Sequence, residues 1–132
     1  MGFILDVETE NAPEFTTVAD GTEVELRVAK AEMKKAKTSG ASMLALRFDI
    51  PAEPYTKDIN LSIMLPEGTD DEKTSAQKKN RLKDFKRAFG LPPAGPLTED
   101  DIEGAKGWAI LGEEDSAEYG KQNRIKRFIA AR

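Results

Sequence analysis

Residues 43–50, MLALRFDI, alternate without a fault: Leu44, Leu46, Phe48 and Ile50 fall on one side, and Met43, Ala45, Arg47 and Asp49 on the other. Successive side chains of a strand point to opposite faces, so a period of two specifies an extended segment half in a core and half in water. The next segment, YTKDINLSIML, repeats the pattern with Ile59, Leu61, Ile63 and Leu65 after a turn bounded by Pro51 and Pro54. Upstream, TEVELRVAKAEM begins the same way with Val24, Leu26 and Val28, but its phase slips at Lys30. A bulge near Ala29 restores the phase and bends the strand, as a strand shared between two sheets requires. The turn-forming TSGAS at 38–42 separates the first strand from the second, giving a three-stranded meander.

The pattern then changes period. Pro66, Gly68 and the acids 70–72 end the third strand, and Thr69 with Glu72 reads as a capping box. A helix follows with Leu82, Phe85, Ala88 and Phe89 as its buried stripe, and Gly90 with LPPAGP stops it. Thr98 with Asp101 starts one short turn ending at Gly104. KGWAILGEE and KQNRIKRFIA are the fourth and fifth strands, with the loop DSAEYG between them. Three strands, a helix, then two strands is the element order of a mainly β, five-stranded Greek-key barrel, the OB-fold, with its helix between strands 3 and 4. Another small α+β domain with this order is the alternative. The expected organisation is an acidic, flexible lead-in over 1–20 and the barrel domain over 21–132.

The chain of 132 residues is one domain's worth, with a net charge of −4. It contains no cysteine and no histidine, which excludes disulfides, thiolate metal sites and the commonest general base. No apolar run spans a bilayer, and MGFILDVETE lacks the basic start of a signal peptide, so a cytoplasmic protein is expected. The acidic runs 70–72 and 99–101 each follow a threonine at a helix start, where capping explains them better than a Mg²⁺ site. No phosphate loop, nucleophile elbow or metal-ligand spacing is present, so neither enzymatic activity nor a cofactor is expected.

The charge is sorted. Residues 1–25 carry seven acids and no base, whereas KAEMKKAK (30–37) has four lysines against one acid. QKKNRLKDFKRAFG (77–90) has six bases against Asp84, residues 97–118 are acidic, and YGKQNRIKRFIAAR (119–132) has five bases and no acid. Sequence-tolerant binding of single strands needs a cationic groove along the phosphates and aromatic rings for the bases. The terminal strand offers both if Arg124, Lys126 and Phe128 share one face, with Ile125 and Ile129 on the other; a core Phe128 in another register is the alternative. Trp108 is either core or a stacking platform. Tyr55 and Tyr119 lie at element ends, Arg47 and Lys57 on outward faces, and Lys34, Lys35 and Lys37 at the loop between strands 1 and 2; Lys121 joins them from the last hairpin. The bases of the helix are a solvated face, a second strand path or a partner surface.

Several motifs appear in a fixed order: Gly21 closing an acidic lead-in, Ala31-Glu32-x-Lys34, Gly40, Met43 to Ile50, Tyr55-Thr-Lys57, Arg81 to Gly90, and Tyr119-Gly-x-x-Asn-x-Ile-Lys-x-Phe128. Together they resemble a family of small phage-encoded proteins associated with single-stranded DNA binding. Asp58 and the strongly acidic lead-in depart from that pattern. The resemblance implies an OB-fold protein that coats transient single strands during DNA replication or recombination in the infected bacterial cytoplasm. Its partners would be single-stranded DNA and phage or host replication and recombination proteins, with no membrane, and self-association into a homo-oligomer is compatible with the role. The opposing expectation is an acidic protein-binding or DNA-mimic module, built on residues 6–25 and 99–118, that acts on a DNA-processing enzyme. Because the sequence ends without an acidic tail, the lead-in is expected to shield the groove or recruit partners instead.

Overall fold

The computed structural model describes residues 2, 4–35, 37 and 40–129. Thr38 and Ser39 of the expected first turn, and Ala130 of the expected last strand, lie outside these residues. Five antiparallel strands, β1 (Glu23–Lys35), β2 (Ser42–Asp49), β3 (Ile59–Met64), β4 (Lys106–Ser116) and β5 (Gly120–Ile129), form one sheet in the order β3-β2-β1-β4-β5. The helix α1 (Glu72–Ala88) and the single turn α2 (Glu99–Ile102) lie between β3 and β4. The molecule is therefore mainly β with one main helix, as the periodicity implies. A closed barrel is not what is seen: β3 and β5 are the sheet's edges, and no ladder joins them among the described residues. They nonetheless approach within 8 Å at the Cα level, and α1 packs against β3, β4 and β5.

The bend in β1 is what curls the sheet. Glu23 to Arg27 pair with β4, Arg27 to Lys35 pair with β2, and the register shifts between Val28 and Lys30. Beyond that shift the β4-facing edge of β1 is open, and the α2 region closes it. Gly104 N–H donates to the Val28 carbonyl at 2.8 Å, and the carboxylates of Glu103 and Glu99 accept from Ala31 and Met33 N–H, both at 3.1 Å. An unpaired edge N–H is costly to bury, so these acids have a structural task.

The core gathers Leu26, Val28, Leu44, Leu46, Phe48, Ile59, Ile63 and Leu111 from the strands with Phe85, Ala88 and Phe89 from α1. Phe48, Phe85, Phe89 and Phe128 form one ring cluster with centroids 4.9 to 6.4 Å apart. Gly107 lets α1 seat there: a Cβ at this position would lie 2.5 Å from the Ala88 carbonyl and 2.7 Å from the Phe89 ring.

Three local expectations are corrected. The N-cap of α1 is Asp71, which accepts from Thr74 N–H at 2.7 Å, and not Thr69. A carboxylate at the N-cap satisfies an orphan donor and meets the helix dipole, which favours Asp71. β3 starts at Ile59 and not at Tyr55, because Thr56 turns back onto the Glu53 carbonyl and forms a lone parallel bridge with Thr16. Phe128 points into the core. The register of β5 against β4 skips Lys126, so Arg127 joins Lys126 on the outer side and Phe128 turns inward, opposite to the parity of an unbroken strand. The capping box of Thr98 with Asp101 is as expected.

Candidate nucleic-acid interface

On the outer face of β1–β2–β3 the pairing sets Lys30 beside Arg47 and Arg47 beside Asn60, with Lys34 four residues further along β1. These four residues line a shallow depression of about 160 Å³ with Glu32 and Ala45. Its cations are held by acids. Glu32 lies 3.8 Å from Lys30 and 3.6 Å from Lys34, and Arg47 lies 3.4 Å from Asp58. Lys35 and Lys37 are exposed where β1 ends.

Lys57, just before β3, reaches the β4–β5 hairpin: its Nζ donates to the carbonyls of Tyr119 at 3.2 Å and Lys121 at 2.8 Å. This contact ties the segment before β3 to the hairpin, and each side carries an exposed ring. Tyr55 is 56% exposed and meets Phe15 edge-on at 6.3 Å, and Tyr119 is 67% exposed. Lys121 is exposed next to Tyr119. Lys34 and Arg47 thus share one depression with Lys30 and Asn60, which the sequence pattern does not single out, and Lys57 joins the segment of Tyr55 to the hairpin of Tyr119 and Lys121.

The other expected residues lie elsewhere. Arg124 is 3.5 Å from Glu114, and Lys126 lies over Gly112 and reaches Asp20 at 2.9 Å. Trp108 is half-buried on the outer side of β4, with Glu25 as its partner on β1 and Ile129 on β5. Phe128 is half-buried, packed against the core, and its remaining surface lines a depression with Leu61, Arg81 and Asp84 on the α1 side of the sheet.

The end of the lead-in is part of the fold. Thr16 exchanges backbone hydrogen bonds with the segment at Tyr55 and Lys57. Asn123, buried in β5, accepts from Val18 N–H and donates to the Val18 carbonyl, both at 2.9 Å, and also donates to the Gly112 carbonyl at 3.0 Å. Thr17 donates to the Glu113 carboxylate. Asp20 accepts from Lys126 and from Glu113 N–H, and these bonds, with Lys126 first, hold its carboxyl below the usual range. Asn123 could have been suspected: a polar side chain at an inward parity needs partners, and an amide matches a backbone donor and acceptor together.

The molecule is a mainly β domain with a cationic, ring-edged sheet face. A family model described as "Protein of unknown function (DUF669)" matches residues 5–105, well over half of the chain, so the chain belongs to that family. No curated protein matches it. Among the described residues no helix is long and apolar enough to cross a membrane.

Proposed function

We propose that this protein binds single-stranded DNA without sequence preference, on a partly open barrel of the OB type, as phage proteins acting in DNA replication or recombination do in the cytoplasm of their host. The observation that carries the reading is the Lys57 tie, which joins the segment of exposed Tyr55 to the hairpin of exposed Tyr119; the outward row of Lys30, Lys34 and Arg47 on β1 and β2 supports it. Rings for bases and cations for phosphates are the two elements such binding needs. The OB reading rests on the strand order, on the helix between β3 and β4, and on the approach of β3 to β5. The acids interleaved on this face form exposed ion pairs, which contribute little and exchange readily for phosphate. The DNA-mimic reading draws on acids of which the carboxylates of Asp20, Glu99, Asp101, Glu103 and Glu113 are engaged within the fold.

Titration of fluorescent oligo-dT tests this. Affinity should fall with salt, with a logarithmic slope of about −0.7 per phosphate contacted. Tyr55→Ala with Tyr119→Ala should weaken binding by roughly tenfold or more, since a stacked base contributes about 1–3 kcal/mol. Absence of binding at low salt, or equal affinity of the double variant, overturns the proposal.

A further inference from the structure

A second concave feature belongs to α1. Gly90, at φ 64°, ends the helix in a left-handed turn. Leu91 N–H then returns to the Lys86 carbonyl at 2.9 Å and Gly90 N–H to the Arg87 carbonyl at 3.4 Å, the paired bonds of a Schellman stop. This stop folds Leu91 back alongside the helix. With Leu82 and Pro93 it floors an open groove of about 570 Å³ rimmed by Lys79, Lys83, Lys86 and Arg87. None of these four cations forms an ion pair with a described carboxylate.

The complementary feature is at the other end of the sequence. Ile4 and Leu5 are 90% and 84% exposed and Val7 is exposed as well, interleaved with Asp6 and Glu8 and followed by Glu10. Large aliphatic side chains left in water beside carboxylates match a groove with an aliphatic floor and a cationic rim. Phe15 and Thr16 anchor the lead-in at the segment of Tyr55 between β2 and β3, and residues 4–8 are exposed.

We infer that residues 4–10 of one copy of this chain dock into the α1 groove of a second copy, with Ile4, Leu5 and Val7 against Leu82, Leu91 and Pro93 and the acids against the lysines. The groove contains no ring on which a base could stack, so its floor suits an aliphatic peptide better than a nucleic acid. The two surfaces that meet differ from each other, so the contact is head-to-tail, and each dimer keeps one free groove and one free N-terminal segment. Self-association of this kind adds copies in a row. It does not rest on the proposed DNA binding, and its test contains no DNA.

Sedimentation of the full chain over a range of concentrations gives the test. The wild type should associate progressively, without stopping at a dimer. Lys83→Glu with Lys86→Glu in one variant, and Asp6→Lys with Glu8→Lys in another, should each weaken association by about tenfold or more, because like charges then face each other. Mixing the two variants should restore association, since each then meets its opposite charge. Residues 6 and 8 lie outside the packed domain, so the second variant reports on docking without disturbing the core. A wild type that stays monomeric at millimolar concentration, a charge-reversed variant that associates like the wild type, or a mixture that stays apart overturns the inference.

Discussion

Among the described residues, six of the ten cations in the strands form an ion pair with a carboxylate, against one of the seven on α1. Arg27 has Asp49 as its cross-strand neighbour and binds it through two nitrogens, at 2.6 and 3.1 Å. Lys30 and Lys34 share Glu32, Arg47 has Asp58, Arg124 has Glu114 and Lys126 has Asp20. Along α1 Lys78, near the start, pairs with Asp70 at 2.9 Å, and no other cation of the helix pairs with a carboxylate among the described residues. Lys79, Lys83 and Arg87 then follow at four-residue spacing, each repelling the next. Lys86 and Arg87 are at least favourable to the helix dipole in the last turn; Lys79 and Lys83 have no such return. A charge already matched on the sheet must be released before it can bind anything. The sheet face therefore favours ligands that bring several phosphates at once, and the helix face favours whatever brings acid to a fixed place.

The largest expected effect comes from loosening the sheet's own acid supply. Asn123 holds Val18, and the segment it holds delivers Asp20 to Lys126. Asn123→Ala leaves the Gly112 carbonyl and both backbone groups of Val18 without their partner, and should lower stability by about 2 kcal/mol. Urea denaturation measures this, and the same variant should bind oligo-dT more tightly at low salt as Lys126 is released. A variant as stable as the wild type would mean that the lead-in is not held by the sheet, and the contrast between the two regions would lose its basis. For the same reason a truncation meant to test shielding by the lead-in has to stop before Thr16, because removal through residue 20 also removes part of the fold.

How far the sequence discloses this contrast depends on the range of each interaction. The period of two in β2 and the box of Thr98 with Asp101 are local, and both are found in the structure; of the helix stripe, Phe85, Ala88 and the C-cap Phe89 are buried while Leu82 is half-buried. The bulge after Val28 was legible because Lys30 would otherwise face the core. Arg127 gave the same warning in β5, but a shift at either of two residues would have answered it, and the one that occurs reverses Phe128. The pairing of charges is a different matter. Asp20 and Lys126 are 106 residues apart, and nothing in either segment announces the other. Arg47 and Asp58 meet only because β2 and β3 are adjacent, which turns Asp58 from a departure in a motif into a counter-ion. The segment Tyr55 to Asp58 looked like strand because its residues suit one; a turn onto Glu53 and a bridge to Thr16 took its hydrogen bonds instead.

A smaller effect is expected where the helix is given what the sheet already has. Lys79→Glu places an acid one turn before Lys83, the favoured orientation for a helical ion pair, and relieves a repulsion at the same spacing. Stability should rise by about 0.5 kcal/mol at low ionic strength, and the gain should shrink in high salt. Thermal unfolding at two salt concentrations measures it. A loss of stability would show that Lys79 is matched in the native fold, and the two regions would then be alike.

The smallest effect, and the most direct reading of a single pair, is Asp20→Asn. The Lys126 ammonium first, and then the Glu113 N–H, hold the Asp20 carboxyl below its usual value, which is about 3.9 in an unfolded chain. A carboxyl whose folded pKa is depressed binds fewer protons in the native state than in the unfolded one across that interval. Its contribution is therefore complete above the unfolded value and lost as pH falls through the folded one. The difference in urea midpoint between the wild type and Asp20→Asn should be constant from neutral pH to about pH 5 and should vanish in more acid solution. At neutral pH the variant should also bind oligo-dT about threefold more tightly at low salt, because one exposed pair no longer competes for Lys126. A midpoint difference that persists in strong acid would assign the effect to packing and not to charge. Unchanged DNA affinity would place Lys126 off the path of the strand, and would confine the bound polymer to the face of β1–β2–β3.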